Sequence, residues 1–181
     1  MPHNVRGETC GQADLMTIDK VCEQCWNLGK DVSILDVSAG SGRIAWEFIK
    51  RGFVHLDALE ACEENINALR QKALYDRYFQ CDESYKEFPI ADCVYDVVVY
   101  VQVSRDKKIT NGTVRQLVRV TKHGGLVVMC LNRNLSGEEQ DINLETIMME
   151  LQTDNVWECL SRHVIAETTS KTDILYTFRK V

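Results

Sequence analysis

The sequence has no excess of positive charge. Its 181 residues hold 21 lysines and arginines against 27 aspartates and glutamates, which gives a formal net charge of −6. An acidic surface repels phosphate backbones, so general nucleic-acid binding is disfavoured. Proline is scarce too, and neither Pro2 nor Pro89 marks a domain boundary. We therefore predict a single domain over residues 1–181, with residues 1–13 flexible.

Long apolar runs are also missing. No stretch approaches the ~20 residues that a membrane-spanning helix needs, and the polar start MPHNVRGETCGQ lacks the apolar core of a signal peptide. These absences predict a cytoplasmic protein that can also enter the nucleus, and no membrane association. The composition leaves monomer and dimer open.

The eight cysteines are scattered and do not form a zinc pattern. Cys22 and Cys25 make one CxxC, but the sequence contains no second such pair. A structural zinc site usually takes four ligands from two pairs. We interpret these two cysteines as reduced thiols on one face of a helix, and we predict no metal site.

Apolar spacing alternates between strand and helix patterns. The strand patterns cover residues 32–37, 54–59, 78–81, 94–103, 126–131, 157–166 and 174–179. The helix patterns cover residues 14–28, 43–51, 63–75, 110–121 and 143–153, and residues 132–142 have the polar composition of a loop. Such alternation predicts a mostly parallel sheet covered on both faces. The short connection between the final two strands predicts that one of them runs antiparallel.

One short segment has the features of a loop that binds a nucleotide-like cofactor. Residues 34–42 read ILDVSAGSG, a strand with an acid at Asp36 and a turn with two glycines. Gly40 and Gly42 match glycines of the dinucleotide-binding pattern. Glu60, 18 residues past Gly42, stands where a carboxylate can accept hydrogen bonds from ribose hydroxyls. These features suit NAD and S-adenosyl-L-methionine equally, because both contain an adenosine.

Asp36 favours S-adenosyl-L-methionine over NAD as the cofactor. A carboxylate four residues before Gly40 repels a pyrophosphate. It suits S-adenosyl-L-methionine, which has no phosphate and carries a sulfonium and an ammonium. Asp82 follows the third predicted strand, where it can accept a hydrogen bond from an adenine amino group. An NAD-dependent oxidoreductase is therefore the weaker interpretation.

Five segments resemble, in order, the motifs of class I S-adenosylmethionine-dependent methyltransferases. They are ILDVSAGSG at 34–42, LE at 59–60, CD at 81–82, YDVVV at 95–99 and VTKHGGLV at 120–127. Within this superfamily, VRQLVRVTKHGGLVVM and NVWECL are similar to the methyltransferase-like protein 27 family. The resemblance implies a Rossmann-like α/β fold: a mostly parallel seven-stranded sheet with an antiparallel last strand and helices on both faces.

The resemblance also implies a cofactor, S-adenosyl-L-methionine, and a product, S-adenosyl-L-homocysteine. The corresponding cofactor-binding residues here are Asp36, Ser38, Ala39, Gly40, Ser41, Gly42, Glu60, Ala61, Asp82, Glu83 and Tyr100. Gln102 and Asn132 are candidate substrate contacts by position, and core packing or strand-end capping is the alternative for these two and for Tyr100. No catalytic residue is assigned.

The methyl acceptor is only partly constrained. The fourth strand ends in YVQVSR at 100–105, whereas relatives that methylate amino groups of nucleic-acid bases carry NPPY-like residues there. A small molecule or a protein is therefore the expected acceptor, in preference to a nucleic acid.

Two departures motivate a second hypothesis, a non-catalytic module that binds the cofactor or a partner protein. Ser38 replaces the first glycine of the motif, and serine tolerates a positive φ less readily than glycine. No lid motif containing tyrosine or tryptophan precedes Asp14, so the N-terminal lid is expected to be short or absent.

Overall fold

Helices and strands alternate along the part of the chain that the structure describes. This computed structural model describes residues 12–82, 87–102, 109–134, 139–167 and 171–181. The helices are α1 (Gln12–Gln24), α2 (Arg43–Lys50), α3 (Glu63–Lys72), α4 (Asn111–Val120) and α5 (Glu139–Thr153). The strands are β1 (Ser33–Val37), β2 (His55–Glu60), β3 (Arg77–Gln80), β4 (Tyr95–Val101), β5 (Thr121–Asn134), β6 (Trp157–Glu167) and β7 (Lys171–Lys180). Within these ranges no helix combines the length and apolarity needed to cross a membrane.

The strands form one seven-stranded sheet in the order β3-β2-β1-β4-β5-β7-β6. The pairs from β3 through β5 are parallel. β7 lies between β5 and β6 and runs antiparallel to both. The predicted mostly parallel sheet with an antiparallel last strand is therefore confirmed. Since β1 to β5 are parallel, their carboxyl ends meet at one edge of the sheet.

The two faces of the sheet carry two apolar clusters. Alternate strand residues point to opposite faces, so Leu35 and Val98 belong to the cluster that includes side chains of α4 and α5. Ile34 and Val97 belong to the other cluster, which includes side chains of α1, α2 and α3. The prediction of helices on both faces is confirmed. Strands buried on both sides explain the nearly continuous apolar run of β4.

The strand before the last helix is longer than its apolar run. We predicted a strand at 126–131 and a loop at 132–142, but β5 extends from Thr121 to Asn134 and α5 begins at Glu139. Residues 135–138 lie outside the described ranges. The loop prediction was wrong at 139–142, which belong to α5, and at 132–134, where β5 pairs with β7 as far as Asn134 opposite Lys171. Pairing with a neighbouring strand outweighs a polar local sequence.

Helix α3 is shorter than its periodicity suggested. The helix pattern ran to residue 75, but α3 ends at Lys72 and Ala73 caps it in the left-handed region at φ 50°. A left-handed residue is a common way for a helix to end. Leu74 and Tyr75 therefore leave the helical path, and Tyr75 becomes part of the buried core.

Cys22 lies on α1, Cys25 lies one residue past its end, and both are core residues with free thiols. Cys22 is 1% exposed and Cys25 is fully buried. Burial raises the pKa of the Cys22 thiol to about 11 and that of Cys25 to about 12. Both side chains therefore act as small apolar groups that pack α1 onto the sheet.

Candidate functional site

The predicted site residues follow the ends of the parallel strands. The segment 38–42 follows β1, Glu60 is the last residue of β2, and Asp82 lies two residues past β3. Gln102 follows β4 directly, and Asn132 lies near the end of β5. The sheet therefore brings them to one edge, where open α/β sheets bind ligands. Glu83 lies outside the described residues.

The glycine loop, which we define as residues 38–42, contains three residues in the left-handed region. Ser38 has φ 64°, Gly40 has φ 54° and Gly42 has φ 79°. The backbone N–H groups of Ser38 and Ala39 both donate to the Leu59 carbonyl, at 2.8 and 3.2 Å. The loop is thus tied to the end of β2, and Gly42 is the N-cap of α2.

Gly42 is also required for space. A Cβ at this position would lie 2.8 Å from Leu69 Cδ2 and 2.9 Å from Leu74 Cδ1. Glycine therefore allows α2 to begin close to the residues that end α3.

Glu60 joins β2 to the glycine loop. Its side chain is 3% exposed, and Oε2 accepts a hydrogen bond from the Gly40 N–H at 2.8 Å. Oε1 accepts one from the Cys62 N–H at 2.9 Å. A carboxylate offers about four lone-pair sites. Two of them hold the loop and the start of α3, and the others remain able to accept hydrogen bonds from a ligand.

Asp36 is a buried acid, and only one of its two carboxylate oxygens accepts a hydrogen bond from a described residue. It is 1% exposed, and Oδ2 accepts a hydrogen bond from the Tyr75 hydroxyl at 2.6 Å. Oδ1 is also buried, and it has no hydrogen-bond partner among the described residues. Burial raises the pKa of Asp36 to about 7; the Tyr75 hydrogen bond acts in the opposite direction, and the Glu60 charge adds to the rise.

The two candidate substrate residues lie together. The Asn132 N–H donates to Gln102 Oε1 at 3.4 Å, and the Gln102 N–H donates to the Cys130 carbonyl at 3.0 Å. Asn132 Nδ2 also donates to Asp173 Oδ1 at 2.6 Å. β4, β5 and β7 thus place a polar amide pair at the edge where the parallel strands end. Whether these amides contact an acceptor stays a prediction.

The remaining predicted residues differ in exposure. Ala61 and Asp82 are half-buried, and the Cys81 N–H donates to the Glu60 carbonyl at 3.1 Å, which holds the segment after β3 beside β2. Tyr100 is 2% exposed and belongs to the core beside α4 and α5. Its burial agrees with the packing alternative, and its contact with the cofactor stays a prediction.

Three residues that hold the candidate site residues in place were not identified from the sequence. Tyr75 reaches Asp36, Asp173 holds Asn132, and Lys72 Nζ donates to the Ser41 carbonyl at 2.8 Å. No local pattern identifies these residues, because each acts across a long separation in sequence. For Tyr75 the helical spacing pointed instead to a place on α3.

Ser38 gives a direct test of the loop. Because glycine occupies the left-handed region without steric cost, Ser38→Gly should raise the free energy of unfolding by about 1 kcal/mol. Urea unfolding measures this change. The adjacent Ala39→Gly is the matched control: Ala39 does not have a positive φ, so this variant should lose up to about 1 kcal/mol. Equal losses in both variants would contradict the strain assigned to Ser38.

The chain matches a family model and two curated relatives. Residues 34–125 match the family described as "Methyltransferase domain". The chain is 28% identical to human methyltransferase-like protein 27 over 127 residues, 70% of this chain and 51% of the relative. It is 27% identical to the sarcosine/dimethylglycine N-methyltransferase of Aphanothece halophytica over 131 residues, 68% of this chain and 46% of that one. The matched region spans about half the length of each relative.

Solved structures share the fold. The [4+2]-cyclase SpnF superposes with a TM-score of 0.73 at 16% identity, over 98% of this chain and 85% of that chain. Geranyl diphosphate C-methyltransferase from Streptomyces coelicolor A3(2), solved with Mg²⁺, geranyl diphosphate and S-adenosyl-L-homocysteine, superposes with a TM-score of 0.71 at 11% identity, over 93% and 78% of the two chains. At these identities the likeness establishes the fold alone.

Proposed function

This chain belongs to the methyltransferase-domain family, and on that premise we propose that it binds S-adenosyl-L-methionine at the edge where β1 to β4 end. It then transfers the methyl group to a small molecule or a protein side chain. The single observation that carries this proposal is the buried Oδ1 of Asp36 beside the glycine loop, which has no hydrogen-bond partner in the described part of the chain.

The charge at this edge fits a cationic cofactor. Buried polar atoms are rarely left without a partner, and a buried carboxylate oxygen calls for a donor with positive charge. The ammonium group of the cofactor's amino-acid tail is such a donor. Asp36 and Glu60 would instead repel the pyrophosphate of a dinucleotide, because like charges at short range in a protein interior interact strongly.

The other predicted contacts follow from the chemistry of the adenosine. Glu60 retains lone pairs for ribose hydroxyls while it holds the Gly40 N–H. Asp82 is half-buried past β3, where its carboxylate can accept from an adenine amino group. The left-handed turn at 38–42 lets the backbone approach the ligand closely.

Positioning supplies most of the catalysis in this proposal. When bound, the cofactor supplies an activated methyl group for in-line displacement by a nucleophile. The chain's own contribution is to hold both partners in line and to exclude water. The amides of Gln102 and Asn132 would orient an acceptor from the ends of β4 and β5, and the Asp173 carboxylate restrains Asn132. No base is assigned, because an acceptor with a free lone pair needs none.

One relative supports a small-molecule acceptor, because it is named as acting on sarcosine and dimethylglycine. The net charge of −6 disfavours a nucleic-acid acceptor. We infer that the acceptor is a small molecule or a protein.

A second function is favoured by one comparison. SpnF has this fold and is described as a [4+2]-cyclase, so the fold by itself does not fix methyl transfer as the reaction. A non-catalytic module that binds the cofactor or a partner is therefore the alternative. Transfer of labelled methyl groups from S-adenosyl-L-methionine to fractions of a cell extract separates the two, since the alternative predicts no transfer.

The cofactor site is tested by calorimetry with S-adenosyl-L-methionine and S-adenosyl-L-homocysteine. Binding of both is expected. Glu60→Ala should weaken it by about 1–3 kcal/mol, because the site loses a charged hydrogen-bond acceptor. Glu63→Ala is the matched control, since it removes an exposed carboxylate from the first turn of α3 and should leave affinity unchanged. The proposal fails if neither compound binds at millimolar concentration while the protein remains folded.

A further inference from the structure

Tyr75 is held in place by contacts that fix its ring and its hydroxyl. It is 7% exposed, and its ring packs edge-on against Tyr78 with centroids 5.7 Å apart. Its backbone N–H donates to the Tyr78 hydroxyl at 3.3 Å. These contacts exist because α3 ends at Lys72, which lets the chain turn Tyr75 into the core. The hydroxyl therefore has a fixed direction, toward Asp36.

In the Tyr75–Asp36 hydrogen bond, the tyrosine hydroxyl is the donor and the carboxylate is the acceptor. Burial raises the pKa of Tyr75 above its ordinary range, so the hydroxyl remains a donor at every pH the protein meets. It satisfies Oδ2 of Asp36 and leaves Oδ1 for a ligand. Tyr75 thus selects which carboxylate oxygen is available.

A second tyrosine–aspartate pair on the opposite face of the sheet provides a comparison. The Tyr95 hydroxyl donates to Asp57 Oδ2 at 2.7 Å, and both residues are buried. Asp57 also has a cation, because Arg77 lies 2.7 Å from the same oxygen. For Asp36 no ion pair with a cation occurs among the described residues, so its negative charge is not compensated in the same way.

Among the described residues, two side chains act on the charge of Asp36. The Tyr75 hydroxyl stabilises its ionised form, and the Glu60 carboxylate at the end of β2 destabilises it. Its partners in register on the adjacent strands, Ala58 and Val99, are apolar. A proton or a cationic ligand is therefore what balances the charge of this carboxylate.

We propose that Tyr75 is a positioning residue that holds Asp36 ready for the cofactor's ammonium group and sets the pH range in which the cofactor binds. The inference rests on the proposed function. Only the ionised carboxylate attracts the ammonium, so binding at low pH requires Asp36 to lose its proton. Since the pKa of Asp36 is about 7, affinity should fall as the pH drops through neutrality.

Tyr75→Phe tests this inference, with S-adenosyl-L-homocysteine as the probe and calorimetry at several pH values from 6 to 9. The variant loses the hydrogen bond that favours the ionised form, so its pH midpoint should move upward. Its loss of affinity relative to the unmodified chain should be about tenfold or more at pH 6 and should shrink toward pH 9. The cofactor's own titration cancels in this ratio.

Tyr95→Phe is the matched control, because it removes the same kind of hydrogen bond from the opposite face. It should lose comparable thermal stability with no pH-dependent loss of affinity. A Tyr75→Phe ratio that is constant across pH would overturn the positioning role. Binding by the unmodified chain at unchanged affinity from pH 6 to pH 8 would overturn the role of Asp36. Absence of binding at every pH overturns the proposed function itself, and the inference with it.

Discussion

Replacing Asp36 with asparagine should stabilise the free protein most at pH 8 and progressively less as the pH falls toward 4. In the folded protein burial raises the pKa of Asp36 from 3.8 to about 7. Between pH 3.8 and about 7, Asp36 is protonated in the folded state and ionised in the unfolded chain. The free energy of unfolding therefore falls as the pH rises through this range. Full ionisation of the buried group costs on the order of 4 kcal/mol, which an uncharged amide avoids.

Urea unfolding of both proteins at pH 5, 6.5 and 8 measures this difference. The introduced amide would keep an acceptor for the Tyr75 hydroxyl and would resemble the protonated acid in shape. The difference between the two proteins should therefore be about a third as large at pH 5 as at pH 8, because only part of the window from 3.8 to about 7 has been crossed. Asp57→Asn is the control: that carboxylate is paired with Arg77, and its loss should lower stability. A pH-independent difference between Asp36→Asn and the unmodified chain would contradict the explanation.

The same substitution should weaken cofactor binding, since it removes the carboxylate that we assign to the ammonium group. Asp36 would then lower the stability of the free protein in order to serve binding. Such a trade between stability and function is common at ligand sites.

Replacing Gly125 with alanine should be strongly destabilising. A Cβ at this position would lie 2.8 Å from the Asp96 carbonyl and 2.9 Å from the Lys122 carbonyl. Both contacts are backbone atoms of paired strands, which cannot move aside as a side chain can. Overpacking of this kind costs about 3 kcal/mol or more, and thermal or urea unfolding should register it.

Gly124→Ala separates crowding from backbone conformation. Gly124 has φ 78°, but no atom lies within 4 Å of the position its Cβ would take. This variant should lose only about 1 kcal/mol, the cost of a left-handed alanine. If Gly124→Ala proved the more damaging of the two, crowding at Gly125 would not be the reason for the glycine pair.

The sequence predicted the sheet well because parallel strands are buried on both faces. Such strands are short apolar runs bounded by turn residues, and β1 and β4 have this form. Thr110 was correctly predicted to begin a helix, since it caps α4 by accepting from the Thr113 N–H. The order of the acidic strand ends then predicted that the candidate site residues meet at one edge of the sheet.

What the sequence could not provide were contacts made across the fold. The periodicity of α3 runs past Lys72, and only packing against the sheet shows that Ala73 ends it and that Tyr75 turns toward Asp36. The extra residues of β5 depend on β7, which lies far along the chain. Ser38 was expected to resist a positive φ, yet it adopts φ 64° because the Leu59 carbonyl holds its backbone N–H.

The position of β7 also has a consequence for the order of folding. Every other strand of the sheet precedes β7 in the chain, yet β7 lies between β5 and β6. Until it is made and paired, the edge of β5 is open to other extended chains, and β6 has no neighbour in the sheet. Contacts between distant segments also form slowly. During synthesis the sheet is thus most exposed to aggregation just before β7 is made and pairs with β5 and β6.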